Sequence, residues 1–315
     1  MITTPTVFVL GAGASAPYGF PLGSTLVRMI CEDLHEGSTL SKLVRQAVPD
    51  LSDRVVKQFV VDLAEAGRSS IDAFLQIRPD YLEIGKACIA AALLPFERER
   101  ELDHYAVSNE VLPPNDQERR ARRWYHYLFD QMLTGGEFTD NKLSVITFNF
   151  DRSFERSLYR VLRAHSGKDG DVRQLCAAVP IVHIHGSLGP AAWLDDSDGG
   201  RQYDGTNLSG EVVSACANQI QLVFDDAADD TLMRARTMLR EASRVCYLGF
   251  SFHHLNLEKL DFLNLADGQT VTGTTFGMPS GPREAVKNRF EKRITLEPSG
   301  WDILTFLQET RYVHE

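Results

Sequence analysis

The chain has 315 residues, of which 43% are hydrophobic and 24% are charged. These proportions are typical of a folded globular protein and exclude general disorder. Lys and Arg number 33 against 43 Asp and Glu, so the net charge is −10, and this acidity argues against direct nucleic-acid binding, which needs a basic surface.

Short apolar runs, each ending in small or polar residues, predict the strands of a buried sheet. Near-continuous runs of β-branched and aliphatic residues are typical of parallel strands that are covered on both faces. In chain order the clear runs are 6–10, 143–148, 181–184, 221–224 and 245–248, and the weaker ones are 270–276 and 293–296.

Helical periodicity lies between these runs, at residues 23–34, 152–164 and 229–242. Alternating strands and helices predict an α/β fold with a doubly wound, mostly parallel sheet.

The stretch 37–139 breaks this alternation, because it shows only helical patterns. We interpret it as a helical region inserted into an α/β domain that comprises residues 1–36 and 140–315. A second irregular stretch, 189–210, is rich in Gly and Asp and is predicted to be a surface loop. The helical patterns of the insertion are 40–48, 55–66, 71–77, 81–94 and 118–133.

The first strand is followed at once by Gly11-Ala12-Gly13-Ala14-Ser15-Ala16, which fits the pattern G-x-G-x-x-A. Glycines permit a tight turn and a close approach to a pyrophosphate, and the next helix supplies N–H donors. A turn that binds nothing is the alternative. Ordinary dinucleotide-binding units also carry an acidic residue about 20 positions on, at the end of a second strand. Here Glu32 and Asp33 fall in a helical pattern instead.

Polar residues or glycines also follow the other strands. Ligands in open α/β sheets bind at the carboxyl ends of the strands, so these residues are predicted to line one site. Structural roles are the alternative: Asn149, Asp151 and Ser251 could cap helices, and His185 could be a buried structural residue. His183 is interpreted as structural. The strand-end residues are Gly13, Ser15, Asn149, Asp151, His185, Gly249 and Ser251.

The ordered set GAGAS (11–15), TFNFD (147–151), HIHG (183–186) and GFSF (249–252) resembles the sirtuin-type NAD-binding fold. More closely, it resembles the SIR2-like domains of bacterial antiphage defence systems, to which the segment SIDAFL (70–75) is also similar. The resemblance implies a sirtuin-like, Rossmann-like domain around the helical insertion.

Two departures from the sirtuin deacylases bear on the activity. No CxxC pair occurs, so no zinc ribbon and no metal are expected. Residues 19–23 read GFPLG where the deacylases carry Pro-Asp-Phe-Arg. The resemblance therefore implies hydrolysis of NAD+ to nicotinamide and ADP-ribose, with NAD+ as a substrate. A catalytically silent sensor of NAD or ADP-ribose and an ADP-ribosyl transferase remain open alternatives.

The resemblance also implies a role for each residue. His185 is the base that acts on a ribose hydroxyl or water, a role that suits the unperturbed histidine pKa of about 6.5. Asn149 positions the ribose and the attacking water, and Asp151 contacts the nicotinamide carboxamide. The remaining predicted contacts to the dinucleotide are Gly11, Ala12, Gly13 and Ser15 around the phosphates and Gly249 and Ser251 on the adenosine side.

An NAD hydrolase that is always active would harm its host. The resemblance therefore implies control by homo-oligomerisation or by a separately encoded defence partner. The five cysteines are scattered, and the sequence shows neither a signal-peptide pattern nor a long apolar span, so we expect a cytoplasmic protein that does not enter membranes. The basic cluster of Arg119, Arg120, Arg122 and Arg123 is interpreted as the solvated face of a helix.

Overall fold

The computed structural model describes residues 1–103, 113–166, 169–194, 200–222, 228–310 and 312–313. A six-stranded sheet, in the order β3-β2-β1-β4-β5-β6, occupies the centre of these residues, and all neighbouring strands are parallel. This order is typical of a Rossmann-like α/β fold, so the predicted α/β class with a parallel sheet is confirmed. The strands are β1 Thr6–Leu10, β2 Leu143–Thr147, β3 Ile181–His183, β4 Arg244–Leu248, β5 Thr270–Gly273 and β6 Ile294–Leu296.

Helices flank the sheet, and the described part of residues 37–139 contains helices but no strand. The helices that precede β2 are α1 Ala12–Ser15, α2 Gly23–Asp33, α3 Thr39–Ala47, α4 Asp53–Glu65, α5 Ile71–Ile77, α6 Leu82–Leu93, α7 Pro114–Ala121 and α8 Tyr125–Met132. Those that follow it are α9 Ser153–Ser166, α10 Asp169–Ala177, α11 Gly210–Gln219, α12 Ala228–Glu241, α13 His254–Lys259, α14 Ser280–Arg289 and α15 Ile303–Glu309.

The two faces of the sheet bury separate hydrophobic clusters, because successive strand residues point to opposite sides. Phe8 and Leu10 of β1 join the cluster that contains the buried residues of α2 to α6 and of α8. Val7 and Val9 join the cluster that contains residues of α12, α13 and α14. The helical insertion therefore packs on one face of the sheet and shares its core.

Trp124 packs the inserted helical region against β1 and hydrogen-bonds it to the turn that follows. Its ring is fully buried against Phe8, with 6.5 Å between the ring centroids, and its Nε1 donates a hydrogen bond to the Ala14 carbonyl at 3.0 Å. The backbone N–H groups of Trp124 and Tyr125 both donate to the Tyr18 hydroxyl, at 2.9 and 2.7 Å. The Tyr18 and Tyr125 rings stack 3.8 Å apart.

This docking explains why the predicted helix over 118–133 is wrong as one element. The structure has two helices there, α7 and α8, separated by residues 122–124. In a continuous helix, the N–H groups of Trp124 and Tyr125 would bond to carbonyls four residues back. They bond to the Tyr18 hydroxyl instead, so the helix is interrupted.

The predicted strand over 221–224 is not found in its described part. Ile220 makes one isolated antiparallel bridge to Gly186, and no strand follows at residues 221 and 222. Residues 223 and 224 lie outside the described part of the chain. Ile220 and Leu222 are buried in the core, so the apolar run reflects side-chain burial without a strand ladder, an ambiguity that short apolar runs carry.

In its described part the stretch 189–209 forms neither helix nor strand and has several exposed residues, as predicted for a surface loop, but a buried arginine anchors it to the core. Arg152 donates to both carboxylate oxygens of Glu97, at 2.9 and 2.8 Å, and the two side chains are 1% and 0% exposed. Its guanidinium also donates to the backbone carbonyls of residues 189, 190, 201 and 202. Trp193 and Tyr203 are buried beside it, while residues 195–199 lie outside the described part.

We expect Glu97→Ala to destabilise the fold by about 3–5 kcal/mol, because it leaves the Arg152 guanidinium buried without a counter-charge. Urea denaturation measures this loss. The matched control is Glu32→Ala, which removes an exposed pair with Arg28 at 3.2 Å and should cost less than about 1 kcal/mol. Equal losses in the two variants would show that the buried pair does not hold the loop.

Candidate functional site

A cavity of about 850 Å³ opens at the carboxyl ends of β1, β2 and β4. It lies where the strand order reverses between β1 and β4, which is where ligands bind in open α/β sheets, and its volume is in the usual range for small-molecule sites. Every strand-end residue singled out in the sequence lines this cavity. These residues are Gly11, Ala12, Gly13, Ser15, Asn149, Asp151, His185, Gly249 and Ser251.

Two glycine turns form the floor of the site and touch each other through their backbones. Gly11 N–H donates to the Leu248 carbonyl at 3.2 Å, and Gly13 N–H donates to the Gly249 carbonyl at 3.0 Å. A Cβ on Gly13 would lie 2.8 Å from the Gly249 oxygen, and Gly249 itself has φ +57°. Glycine is therefore needed for the close approach of the two chains.

Because of this contact, the first turn offers fewer free N–H groups to a phosphate than the sequence pattern predicts. The sequence pattern predicts free N–H groups in the first turn and at the start of its helix, but the N–H groups of Gly11 and Gly13 are already bonded to the second turn. Helix α1 is only four residues long. The glycines thus shape the cavity, and an anionic ligand would need other partners as well.

Asn149 is held rigidly at the end of β2. Its side-chain NH2 donates to the Gly11 carbonyl at 3.0 Å and to the Ser15 hydroxyl at 2.9 Å. Both amide hydrogens are thereby used, and within the described residues its Oδ1 has no hydrogen bond. The side chain is 9% exposed and lines the cavity, so its oxygen is the atom left to face a ligand.

Asp151 lines the cavity and also supports the start of α9. Its Oδ1 accepts hydrogen bonds from the backbone N–H of Ser153, at 3.0 Å, and from the Ser153 hydroxyl, and its carboxylate is also hydrogen-bonded to Ser15. Burial raises the pKa of Asp151, although these hydrogen bonds oppose the rise. The structure is thus compatible with both of its predicted roles, capping and lining the site.

His185 lines the cavity, although its Nε2 is enclosed by protein and its side chain lies beside Asn256. The residue is 3% exposed, its ring lies 5.4 Å from that of Phe148 and 6.0 Å from that of Phe150, and its Nε2 is buried without a hydrogen bond. Burial, aided by the positive charge of Lys259, lowers the pKa of His185 to about 4. The imidazole is therefore neutral at pH 7.

His183 has the opposite character. Its Nδ1 lies 3.0 Å from the Asn149 carbonyl oxygen and its Nε2 lies 3.0 Å from Glu155 Oε1. Burial alone would lower its pKa, but the Glu155 carboxylate outweighs burial and the pKa is raised. Both ring nitrogens are occupied by protein groups, which agrees with the structural role predicted for this residue.

The inserted helices supply part of the cavity wall, which local sequence reasoning missed. The wall includes Ser70 and Asp72 at α5, and Asn115, Arg119 and Arg122 at or just after α7. Asp72 falls in the segment 70–75 that carries part of the resemblance, and this was the only sequence signal for it.

The solvated-face interpretation of the basic cluster is wrong for most of its members. Glu101 accepts hydrogen bonds from Arg119, Arg120 and Arg123, at 3.0, 3.1 and 2.6 Å. Arg123 is buried. These arginines lie 18 to 22 positions after Glu101 in the chain, so no local pattern shows the pairing.

Comparisons with known proteins do not identify the chain: no protein-family model matches it, and neither does any curated protein. In the described part of the chain, no helix combines the length and apolar character that a membrane crossing requires. Among the same residues, His, Cys, Asp and Glu side chains do not gather in threes as they would around a metal ion.

We expect Gly249→Ala to destabilise the protein by about 3 kcal/mol or more. The added Cβ would lie 2.3 Å from the Ala14 nitrogen and 2.4 Å from the Gly13 carbonyl carbon, so the two turns must separate. Gly268→Ala is the matched control, because Gly268 also has a positive φ, of 82°, but open space around it. That variant should lose only about 1–2 kcal/mol, the strain of a left-handed alanine. Similar losses, measured by urea denaturation, would contradict the close contact.

The lowered pKa of His185 predicts a specific acid sensitivity. The unfolded chain binds a proton at this residue near pH 6.5, whereas the folded chain resists protonation down to about pH 4. The stability that the neutral imidazole contributes is therefore present above pH 6.5 and is lost as the pH falls towards 4. In His185→Gln, the decline of the unfolding free energy across this window should be shallower than in the wild type. Parallel declines would contradict the lowered pKa.

Proposed function

We propose that the protein hydrolyses NAD+ to nicotinamide and ADP-ribose. The observation that carries this proposal is that Asn149, Asp151 and His185 line one cavity with the two glycine turns. Both amide hydrogens of Asn149 are bonded to protein groups, so its oxygen remains as an acceptor for a ligand in that cavity.

The reaction requires little acid catalysis, because nicotinamide leaves as a neutral molecule from a cationic ring. The bond between the ribose C1′ and the pyridine nitrogen breaks, positive charge develops on the ribose, and a water oxygen adds to C1′. Asn149 Oδ1 is suited to orient that water, and neutral His185 is suited to accept the proton that the water or a ribose hydroxyl releases.

A histidine with a pKa near 4 is a weak base. The dinucleotide would correct this in part, because its pyrophosphate brings negative charge into the cavity and nearby negative charge raises a histidine pKa. The Asp72 carboxylate already acts in this direction on His185. The bound ligand is therefore part of the electrostatic environment that the base needs.

Arginines of the insertion are the best partners for the pyrophosphate, since two of the turn amides are already bonded. Arg119 and Arg122 line the cavity. Arg119 already donates to Glu101, to Asp116 and to the Pro17 carbonyl. Arg122, whose ion pair with Glu118 is 3.9 Å long, is therefore the freer donor for an anion.

The biological role follows from the resemblance to SIR2-like defence domains. We propose a cytoplasmic antiphage effector that depletes NAD+ and is controlled by a separately encoded partner or by homo-oligomerisation. The charge of −10 favours a trigger other than direct binding to nucleic acid.

Incubation of the purified protein with NAD+, alone and with the product of the neighbouring gene, tests the activity by nicotinamide release. We expect Asn149→Ala and His185→Ala to lower the rate by about 10²–10⁴-fold while the melting temperature shows that both remain folded. Asn288→Ala and His165→Ala, at exposed helix positions, are the matched controls and should retain full activity.

Other outcomes of this experiment separate the alternatives. NAD+ binding without nicotinamide release would favour the silent sensor, and label transferred to an acceptor would favour the transferase. Release that persists in both Asn149→Ala and His185→Ala would place the chemistry elsewhere and overturn the proposal.

A further inference from the structure

One carboxylate in the cavity wall is unpaired within the described residues, and it belongs to the inserted region. Four acidic residues of the described chain line the cavity. Asp151 and Asp302 accept backbone hydrogen bonds at the starts of α9 and α15. Glu118 forms an ion pair with Arg122 at 3.9 Å. The fourth, Asp72 of α5, makes neither a hydrogen bond nor an ion pair with another described residue.

Asp72 belongs to the wall of the cavity opposite α13. Its neighbour Ile71 is part of the core on one face of the sheet, whereas Leu257 of α13 is part of the core on the other face. Burial lowers the pKa of Lys259 to about 8, and the Asp72 carboxylate opposes this fall, as it does at His185. A ligand that fills the crevice beside His185 therefore lies in the field of this carboxylate.

A structural role accounts for only part of this placement. Asp72 lies in the first turn of α5, where a carboxylate interacts favourably with the helix dipole. That role is served equally well on the solvent side of a helix, yet Asp72 is half-buried and lines the cavity. A partly buried carboxylate without a counter-ion favours positive charge in the space that it faces.

The dinucleotide of the proposed function carries charges of both signs. NAD+ is positive on its nicotinamide ring and negative on its pyrophosphate, whereas the ring of NADH is neutral and ADP-ribose has no ring. His185 follows β3 at one edge of the sheet. Arg122 lies over the ring of Phe276, 4.7 Å from its centroid, just after β5 towards the other edge. The cationic ring is thus favoured on the side of Asp72, and the pyrophosphate on the side of Arg122.

We infer that Asp72 faces the positively charged nicotinamide ring and makes the site selective for NAD+ over NADH. This inference rests on the proposed function and adds a specificity-determining residue that the strand-end motifs do not contain. During cleavage the positive charge moves from the ring to the ribose and no new charge forms. The carboxylate therefore stabilises bound substrate and transition state to a similar extent, so it acts on KM more than on kcat.

The test measures equilibrium binding of three ligands that the protein does not cleave. They are carba-NAD+, in which a methylene group replaces the oxygen of the nicotinamide ribose ring, NADH and ADP-ribose. We expect Asp72→Asn to weaken binding of carba-NAD+ by about 5- to 30-fold, the loss of one charge interaction in a partly buried site. Binding of NADH and ADP-ribose should weaken by less than about 2-fold, because neither carries the positive charge.

Two further variants make the result specific to the charge and to its position. Asp72→Glu keeps the negative charge and should retain most of the selectivity for carba-NAD+. Glu118→Gln is the matched control, because it neutralises another carboxylate of the cavity wall, beside Arg122. It should change the affinities for carba-NAD+ and NADH by the same factor. For NAD+ hydrolysis, Asp72→Asn should raise KM by about the same 5- to 30-fold and change kcat by less than about 3-fold.

Equal losses on carba-NAD+ and NADH in Asp72→Asn, or no loss on either, would overturn the inference, and wild-type hydrolysis of NAD+ would then leave the proposed function intact. If the wild type does not cleave NAD+ but Asp72→Asn loses affinity for carba-NAD+ alone, the charge selectivity stands and the hydrolase proposal fails. A wild type that binds neither carba-NAD+ nor NADH would overturn both.

Discussion

The cavity depends on a contact between two backbone turns that have no Cβ atoms between them. Gly13 N–H donates to the Gly249 carbonyl, which joins the ends of β1 and β4 at the centre of the sheet. From this point the chain leaves in opposite directions, because Leu26 of α2 packs on one face of the sheet and Leu257 of α13 packs on the other. The crevice between the diverging segments is the site, so it exists only while the two turns remain in contact.

The same contact limits how the site can bind an anion. A glycine-rich turn usually offers its own N–H groups to a phosphate, but here Gly11 and Gly13 have used theirs to join the turns. Positive charge reaches the cavity from Arg122, which belongs to the inserted region, whereas Arg119 is paired with Glu101 and Asp116. The inserted region therefore contributes side chains to the site, and its sequence should determine how tightly a dinucleotide binds.

Local sequence signals predicted the parts of the molecule that local physics governs. The three central strands read as continuous apolar runs, because both faces of the sheet are covered, and the residues after them reached one cavity, because parallel strands end at the same edge. Hydrogen bonds between residues far apart in the chain had no local signal in the sequence. Arg123 pairs with Glu101, and Arg152 binds the carbonyls of residues 189 and 202, so most of the basic cluster and parts of the Gly- and Asp-rich stretch are held by buried partners that their composition does not indicate.

A chain of buried hydrogen bonds connects the inserted helices to the residues proposed to act on substrate. The Tyr125 hydroxyl of α8 bonds to the Ser153 hydroxyl at 2.8 Å, Ser153 bonds to Asp151, Asp151 to Ser15, and Ser15 to Asn149. Displacing α8 would leave buried polar atoms unpaired at the site, each at a cost of about 1–3 kcal/mol. The position of Asn149 and the docking of the insertion are therefore coupled energetically. A partner that binds the insertion and shifts α8 would change the geometry of the site without touching the cavity.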